Sequence, residues 1–185
     1  MWKPMKMAVL ALGLSASPLL CANPWMDKLT LPLPGQLPCC ASQEQQLLIA
    51  ADGTAINGSA TVTIDDDGLN VEVRDHQNLQ LATLHHSPAG EITVSDSSLW
   101  KPALTRLVLT AMYLHRLDPR QWAATQPGWS WQSGDGETQL LYQGESQIKL
   151  DYGKPSEPGA ATQFSMAASG FALTLKVLGA TPGGN

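Results

Sequence analysis

From about Gln45 the chain alternates apolar and polar residues with a period of two. Leu47 and Ile49 begin the pattern; Ala60, Val62 and Ile64 then alternate with Thr61 and Thr63, and Leu69, Val71 and Val73 with Asn70, Glu72 and Arg74. Successive side chains of a strand point to opposite faces, so this spacing predicts antiparallel strands with one apolar and one polar face. Asp65-Asp66-Asp67-Gly68 reads as a hairpin turn between two of them. A turn over Asp75–Asn78 leads to a strand on Leu79, Leu81 and Thr83, and Pro88-Ala89-Gly90 to one on Ile92 and Val94.

The period then changes. Leu104, Leu107, Val108, Ala111 and Met112 fall at i, i+3, i+4, i+7 and i+8, the stripe of an amphipathic helix. Ser97 or Ser98 is expected to cap it, and Pro102 is tolerated in a first turn. Asp118-Pro119 ends it, a short second helix carries Trp122, and Gly128 closes the helical stretch. Alternation resumes through Trp129 and Trp131, Gln139–Tyr142, Ile148 and Leu150, Phe164 and Met166, and finally Phe171, Leu173, Leu175 and Val177. The fold class that follows is mainly β (α+β): a half-open antiparallel β-barrel of about ten to eleven strands with a central helical lid. A sheet of that length curls, and its apolar face must be covered. One small helix covers only part of it, which leaves either a filled half-barrel or a lined cavity.

The N-terminus is of another kind. Lys3 and Lys6 precede a short apolar run from Met7 to Ala16, followed by small residues and Pro18. That order predicts a secretory signal over residues 1–22, and the run is too short to span a bilayer, which takes roughly 20 apolar residues. Cys21 is the candidate lipid-anchor residue, although Leu20 and Pro18 make a poor context for it. The expected location is the periplasm, with an anchor to the outer membrane if Cys21 is acylated. Residues 23–43 carry four prolines and read as an extended, Pro-rich lead. Residues 44–178 form the domain, and 179–185 a disordered tail.

Removal of residues 1–22 leaves nine basic against sixteen acidic side chains, a formal charge of −7. No basic footprint for nucleic acid exists. Cys39 and Cys40 are adjacent, and neighbours lie closer than the usual disulfide separation, so no structural crosslink is expected. They have no CxxC or His-x-His companions, and neither zinc nor any cofactor is expected. His76, His85, His86 and His115 form no evident constellation; His85 and His86 point to opposite faces of a strand, and His115 suits a helix C-terminus. Asp65-Asp66-Asp67-Gly68 lacks the alternate spacing and distant glutamate of a calcium loop. No Gly-x-Ser-x-Gly, Walker A or HExxH motif occurs. The positive signal is aromatic: Trp100, Trp122, Trp129 and Trp131 cluster around the helical insert, where amphipathic rings suit the rim of a cavity.

The stretch GEITVSDSSLWKPALTRLVLTAMYLHRLDPRQW, with ETQLLYQGESQIKLDYG and the closing strand FALTLKVL, resembles a LolB-like family of unknown function within the LolA/LolB superfamily. The resemblance covers roughly residues 44–178 and rests on the order of elements. It implies a half-open barrel whose apolar cavity holds acyl chains of lipoproteins or lipids, with no catalytic group. It also implies a LolA-like carrier or an exporter as protein partner. The apolar positions that face inward by alternation are the candidate lining: Val62, Ile64, Val71, Val73, Leu81, Leu107, Met112, Trp122, Trp131, Leu150, Phe164, Phe171, Leu173 and Leu175. The competing readings are a structural or assembly protein with a filled barrel, and an enzyme on lipid intermediates using a nucleophile such as Ser165 or Ser169.

Overall fold

The structure, a computed structural model, describes residues 25–51, 53–96, 98–134, 137–153 and 163–180. The signal stretch with Cys21, Ser97 and the loop 154–162 lie outside them. Alternation becomes ten strands among the described residues: β1 (Ala41–Ala51), β2 (Thr54–Asp65), β3 (Gly68–Asp75), β4 (Gln80–His86) and β5 (Ile92–Asp96), then β6 (Trp129–Gly134), β7 (Glu137–Tyr142), β8 (Glu145–Tyr152), β9 (Gln163–Ala168) and β10 (Phe171–Ala180). Between the two runs stand α1 (Pro102–Arg116) and α2 (Pro119–Trp122).

All ten strands form one antiparallel sheet in the order β5-β4-β3-β2-β1-β10-β9-β8-β7-β6. The first and last strands of the chain's β pattern meet in the middle, where Leu47 lies opposite Leu175 and Ile49 opposite Leu173. The free edges are β5 and β6, and the helical segment joins them. The sheet is therefore open and not closed into a barrel. Inward residues from both halves share a single buried cluster with α1. A flat sheet could not bring Val71 and Ile148 to one helix, so the sheet curls around α1.

That helix is more deeply buried than one stripe requires. Leu109, Thr110, Tyr113 and Leu114 are buried as well as Leu104, Leu107, Val108, Ala111 and Met112. The cover on its other flank is the segment 25–40. The segment contains two short 3-10 turns, Met26–Lys28 and Pro34–Gln36, and it buries Trp25, Leu29, Leu31 and Leu37 in the core. Arg106 on α1 donates from Nε to the Met26 carbonyl (2.9 Å) and from Nη2 to the Leu29 carbonyl (2.6 Å). Trp129 Nε1 donates to the Lys28 carbonyl, and Gln126 makes two bonds of 2.8 Å to the backbone of Thr30. The Pro-rich lead is thus a strap across α1 and β6.

Several local expectations change. The start of α1 has Lys101 at the N-cap with no side-chain cap bond, because Pro102 at the first position brings no N–H and a preset φ. In β4 the register slips beside Val73 and Arg74: Val73 faces Ala82, and Arg74 faces Gln80. This bulge adds Leu81 as an extra residue, so Ala82, Leu84 and His86 are the inward set, while Leu79 is 56% exposed. On the edge strand β5, Val94 is exposed. The tight turn on Asp66 and Asp67 has the Asp67 amide on Asp65 Oδ1 (3.0 Å), and Gly68 is demanded by a different contact. Its φ is +124°, and a Cβ there would run into the carbonyl of His86 on β4. The strand expected to end before Gly179 continues to Ala180.

Cys39 and Cys40 are joined in a disulfide, against expectation. Cys40 adopts φ +64° and donates its amide to the Ile64 carbonyl. The left-handed residue turns the chain where the strap enters β1. The finding also overturns the expected localisation, periplasmic with an outer-membrane anchor: neither thiol is free to take a lipid, and Cys21 itself lies outside the described residues.

Candidate functional site

Alternation and sheet curvature decide what lines the interior. Val62 and Ile64 on β2, Val71 and Val73 on β3, Leu150 on β8, Phe164 on β9, and Phe171, Leu173 and Leu175 on β10 all point into the buried cluster. Leu107 and Met112 meet them from α1, Leu81 from the bulge and Trp122 from α2. Trp131 is partly buried and packs on the edge of that cluster. In this structure α1 occupies the concave face. The tryptophans divide: Trp100 donates to Thr105 Oγ1, Trp122 packs on Tyr113, and Trp129 stands edge-on to Trp25. Two of the four also border open clefts: Trp122 one of about 410 Å³ beside the strap, and Trp131 one of about 400 Å³ at the C-terminal end of α1.

The cleft at the end of α1 is lined by His115, Arg116, Leu117, Asp118, Pro119, Arg120, Trp131 and Tyr152. The helix ends there because Asp118 caps α2 through the Arg120 amide, and Pro119 opens the new turn. The Asp118 carboxylate is also held by the Arg120 guanidinium, with bonds of 2.6–3.0 Å. That pair holds the Asp118 carboxyl below its ordinary value, chiefly through the Arg120 side-chain bond. Tyr152 donates its hydroxyl to the Leu114 carbonyl (2.8 Å), closing one free carbonyl of the last helical turn. Arg116 reaches back from the cleft to Gln43 Oε1 on β1 (2.9 Å), and Gln45 Nε2 shares that acceptor (3.0 Å). Sequence reasoning missed this polar group, since Gln43 and Gln45 carry no motif and only the β1–α1 contact reveals them.

The histidines separate as alternation requires. His85 Nδ1 lies 2.9 Å from Asn70 Oδ1 on the outer face. His86 is buried, with Nδ1 2.7 Å from the Tyr113 hydroxyl, and burial is the main cause lowering its pKa. His115 stacks on Phe164 at 5.2 Å, and its Nδ1 has no partner. Burial first, and the neighbouring Arg116 second, push its pKa down to about 4. The imidazole therefore ends α1 as a neutral ring, not as the cation a helix C-terminus favours.

A pH dependence follows. The ordinary value of 6.5 applies to the unfolded chain, which takes the proton first as pH falls. The His115 contribution is complete above about pH 6.5, declines through the window below it and is lost near pH 4. Its partial exposure limits the effect to about 1–2 kcal/mol. Urea denaturation at pH 7 and pH 4.5 is expected to show that loss, and His115→Gln to reduce it. An unchanged pH slope in the variant would assign the loss elsewhere.

The two serines considered as nucleophiles lie outside the buried cluster. Ser165 faces away from the core, 3.1 Å from Thr174 Oγ1, and Ser169 is exposed in the β9–β10 turn. Among the described residues, no group of three or more His, Cys, Asp or Glu could hold a metal ion. No described helix is long and apolar enough to cross a membrane. No curated protein matches the chain in sequence. A family model described as a protein of unknown function, DUF3261, matches residues 42–179, from the start of β1 to the end of β10, and the chain belongs to that family.

Proposed function

We propose that this protein is a non-enzymatic carrier or acceptor of acyl chains, of the LolA/LolB type, which takes the chain between the curled sheet and its helical lid. The observation that carries the reading is the seam. The interior is mainly apolar, with His86, Thr105, Thr110 and Gln45 as its buried polar residues, and its two edge strands are joined by α1, α2 and the strap instead of by strand pairing. Opening the seam breaks a few side-chain bonds, such as Arg106 to Met26 and Leu29, and leaves every strand ladder intact. Each methylene that enters contributes about 0.8 kcal/mol. A medium-length chain thus gains on the order of 10 kcal/mol gross, from which the ordering cost and the displaced lid contacts are subtracted. Reversible affinity of that kind suits a carrier, with a lipoprotein or lipid as cargo and a LolA-like carrier or an exporter as partner.

The test is uptake of a fluorescent fatty acid by the purified protein, with native mass spectrometry of the complex. The expected result is one chain per protein, competed by unlabelled fatty acid. One observation favours a second reading, a structural or assembly protein with a packed interior: α1 fills the concave face, and Val108, Leu109 and Met112 are fully buried. No uptake, and a bare protein mass, would decide for that reading.

A further inference from the structure

We propose that the cleft at the C-terminal end of α1 is an anion site, and that Arg116 there receives the carboxylate or phosphate head of the bound chain. The inference rests on the carrier reading for the identity of the ligand, and on Arg116 for the site. Arg116 is largely buried, yet among the described residues its only partner is a neutral amide, Gln43 Oε1. Its Nε is sealed from solvent without a partner, and so are Gln45 Oε1 and His115 Nδ1 nearby. Buried polar atoms are nearly always bonded, and two orphans in one polar group, with a third on the preceding residue of α1, mark a place where something else binds.

Charge sharpens the point. The chain has sixteen acids against eleven Lys and Arg, so carboxylates are in good supply, yet none pairs with this guanidinium among the described residues. Asp118 borders the cleft but is held by Arg120. Water could satisfy the Nε but would not neutralise the charge. The end of the α1 dipole favours a cation here and accounts for a base at this position. It does not account for one buried beside a cleft with an orphan donor. A planar or tetrahedral oxyanion matches a guanidinium through paired, charge-assisted bonds. Leu117, Trp131 and Tyr152 supply apolar wall for the first methylenes behind the head.

The test compares palmitate, methyl palmitate and inorganic phosphate by calorimetry on the full chain and two variants. Arg116→Gln removes the charge. Gln43→Glu keeps it but sets a carboxylate against it, and that variant retains every fold contact of the original amide oxygen. In the unaltered protein palmitate is expected to bind about tenfold or more tighter than its uncharged ester, the worth of one charge-assisted bond. Both variants are expected to lose that preference and to bind the ester as before. Equal affinity for acid and ester, or a preference that survives both variants, overturns the anion site and leaves the carrier reading in place. Phosphate binding lost in Arg116→Gln, with neither long-chain ligand bound, upholds the site for a free anion and overturns the carrier reading. Binding of none of the three overturns both.

Discussion

Replacing Trp25 by alanine is expected to lower the stability of the fold by about 3–5 kcal/mol, the range for truncating a buried tryptophan. Trp25 is 1% exposed and stands at right angles to Trp129, ring centroids 6.1 Å apart. It anchors the strap at the point where Trp129 also donates to the Lys28 carbonyl. Its own Nε1 has no partner, so nothing polar is lost and the whole cost is packing. The remaining polar strap contacts, Arg106 to Met26 and Leu29, Gln126 to Thr30 and Trp129 to Lys28, are exposed or half-buried bonds worth about 1–2 kcal/mol each, beside the smaller buried side chains Leu29, Leu31 and Leu37. Without the ring the segment loses its largest buried side chain and is held less firmly. Hydrogen exchange is therefore expected to accelerate at Leu29 and Leu37 before it does in β1 or β10. Under the carrier reading, uptake of the fluorescent fatty acid accelerates in the same variant, because the strap covers the seam. A loss below about 1 kcal/mol with unchanged exchange in the strap would show that Trp25 does not hold it.

The strap is also where sequence reasoning fell short, and the reason is physical. Strands announce themselves by alternation, and the pairs Val62 with Val71 and Leu150 with Met166 follow from it directly. The segment 25–40 has prolines in place of a period, so nothing local says that Trp25, Leu29 and Leu37 go inside. Only the unfilled flank of α1 calls for them. The same flank explains Leu109 and Leu114, which lie off the expected stripe and are still fully buried. The bulge in β4 erased the alternation at Leu79 and Leu81, since one inserted residue moves every later side chain to the other face. The polar group of Gln43, Gln45 and Arg116 joins residues more than seventy positions apart, and no spacing rule reaches across that distance. Inward positions on the regular strands were legible; whether a ligand or a helix fills the space between them is a matter of volume, which a period does not encode.

Met112→Ala tests that volume directly. Met112 is fully buried on α1 within the cluster that receives the inward faces of both halves of the sheet. Truncation is expected to cost about 2–5 kcal/mol, part from lost transfer energy and part from the space left behind. Met112→Leu, which conserves volume, is expected to cost less than about 1.5 kcal/mol. The two readings diverge when ligand is added. Any ligand bound only by the folded state stabilises it, by about 2.7 kcal/mol at a hundred times its Kd. If the acyl chain lies along α1, the space opened at residue 112 gives it new contacts. Palmitate is then expected to raise the thermal midpoint of Met112→Ala by more than it raises that of the unaltered protein or of Met112→Leu. If the interior is a packed core that admits no ligand, palmitate leaves all three midpoints where they were. An equal rise in all three would place the chain away from Met112 while keeping it bound, and would move the path of the ligand to the cleft side of the helix.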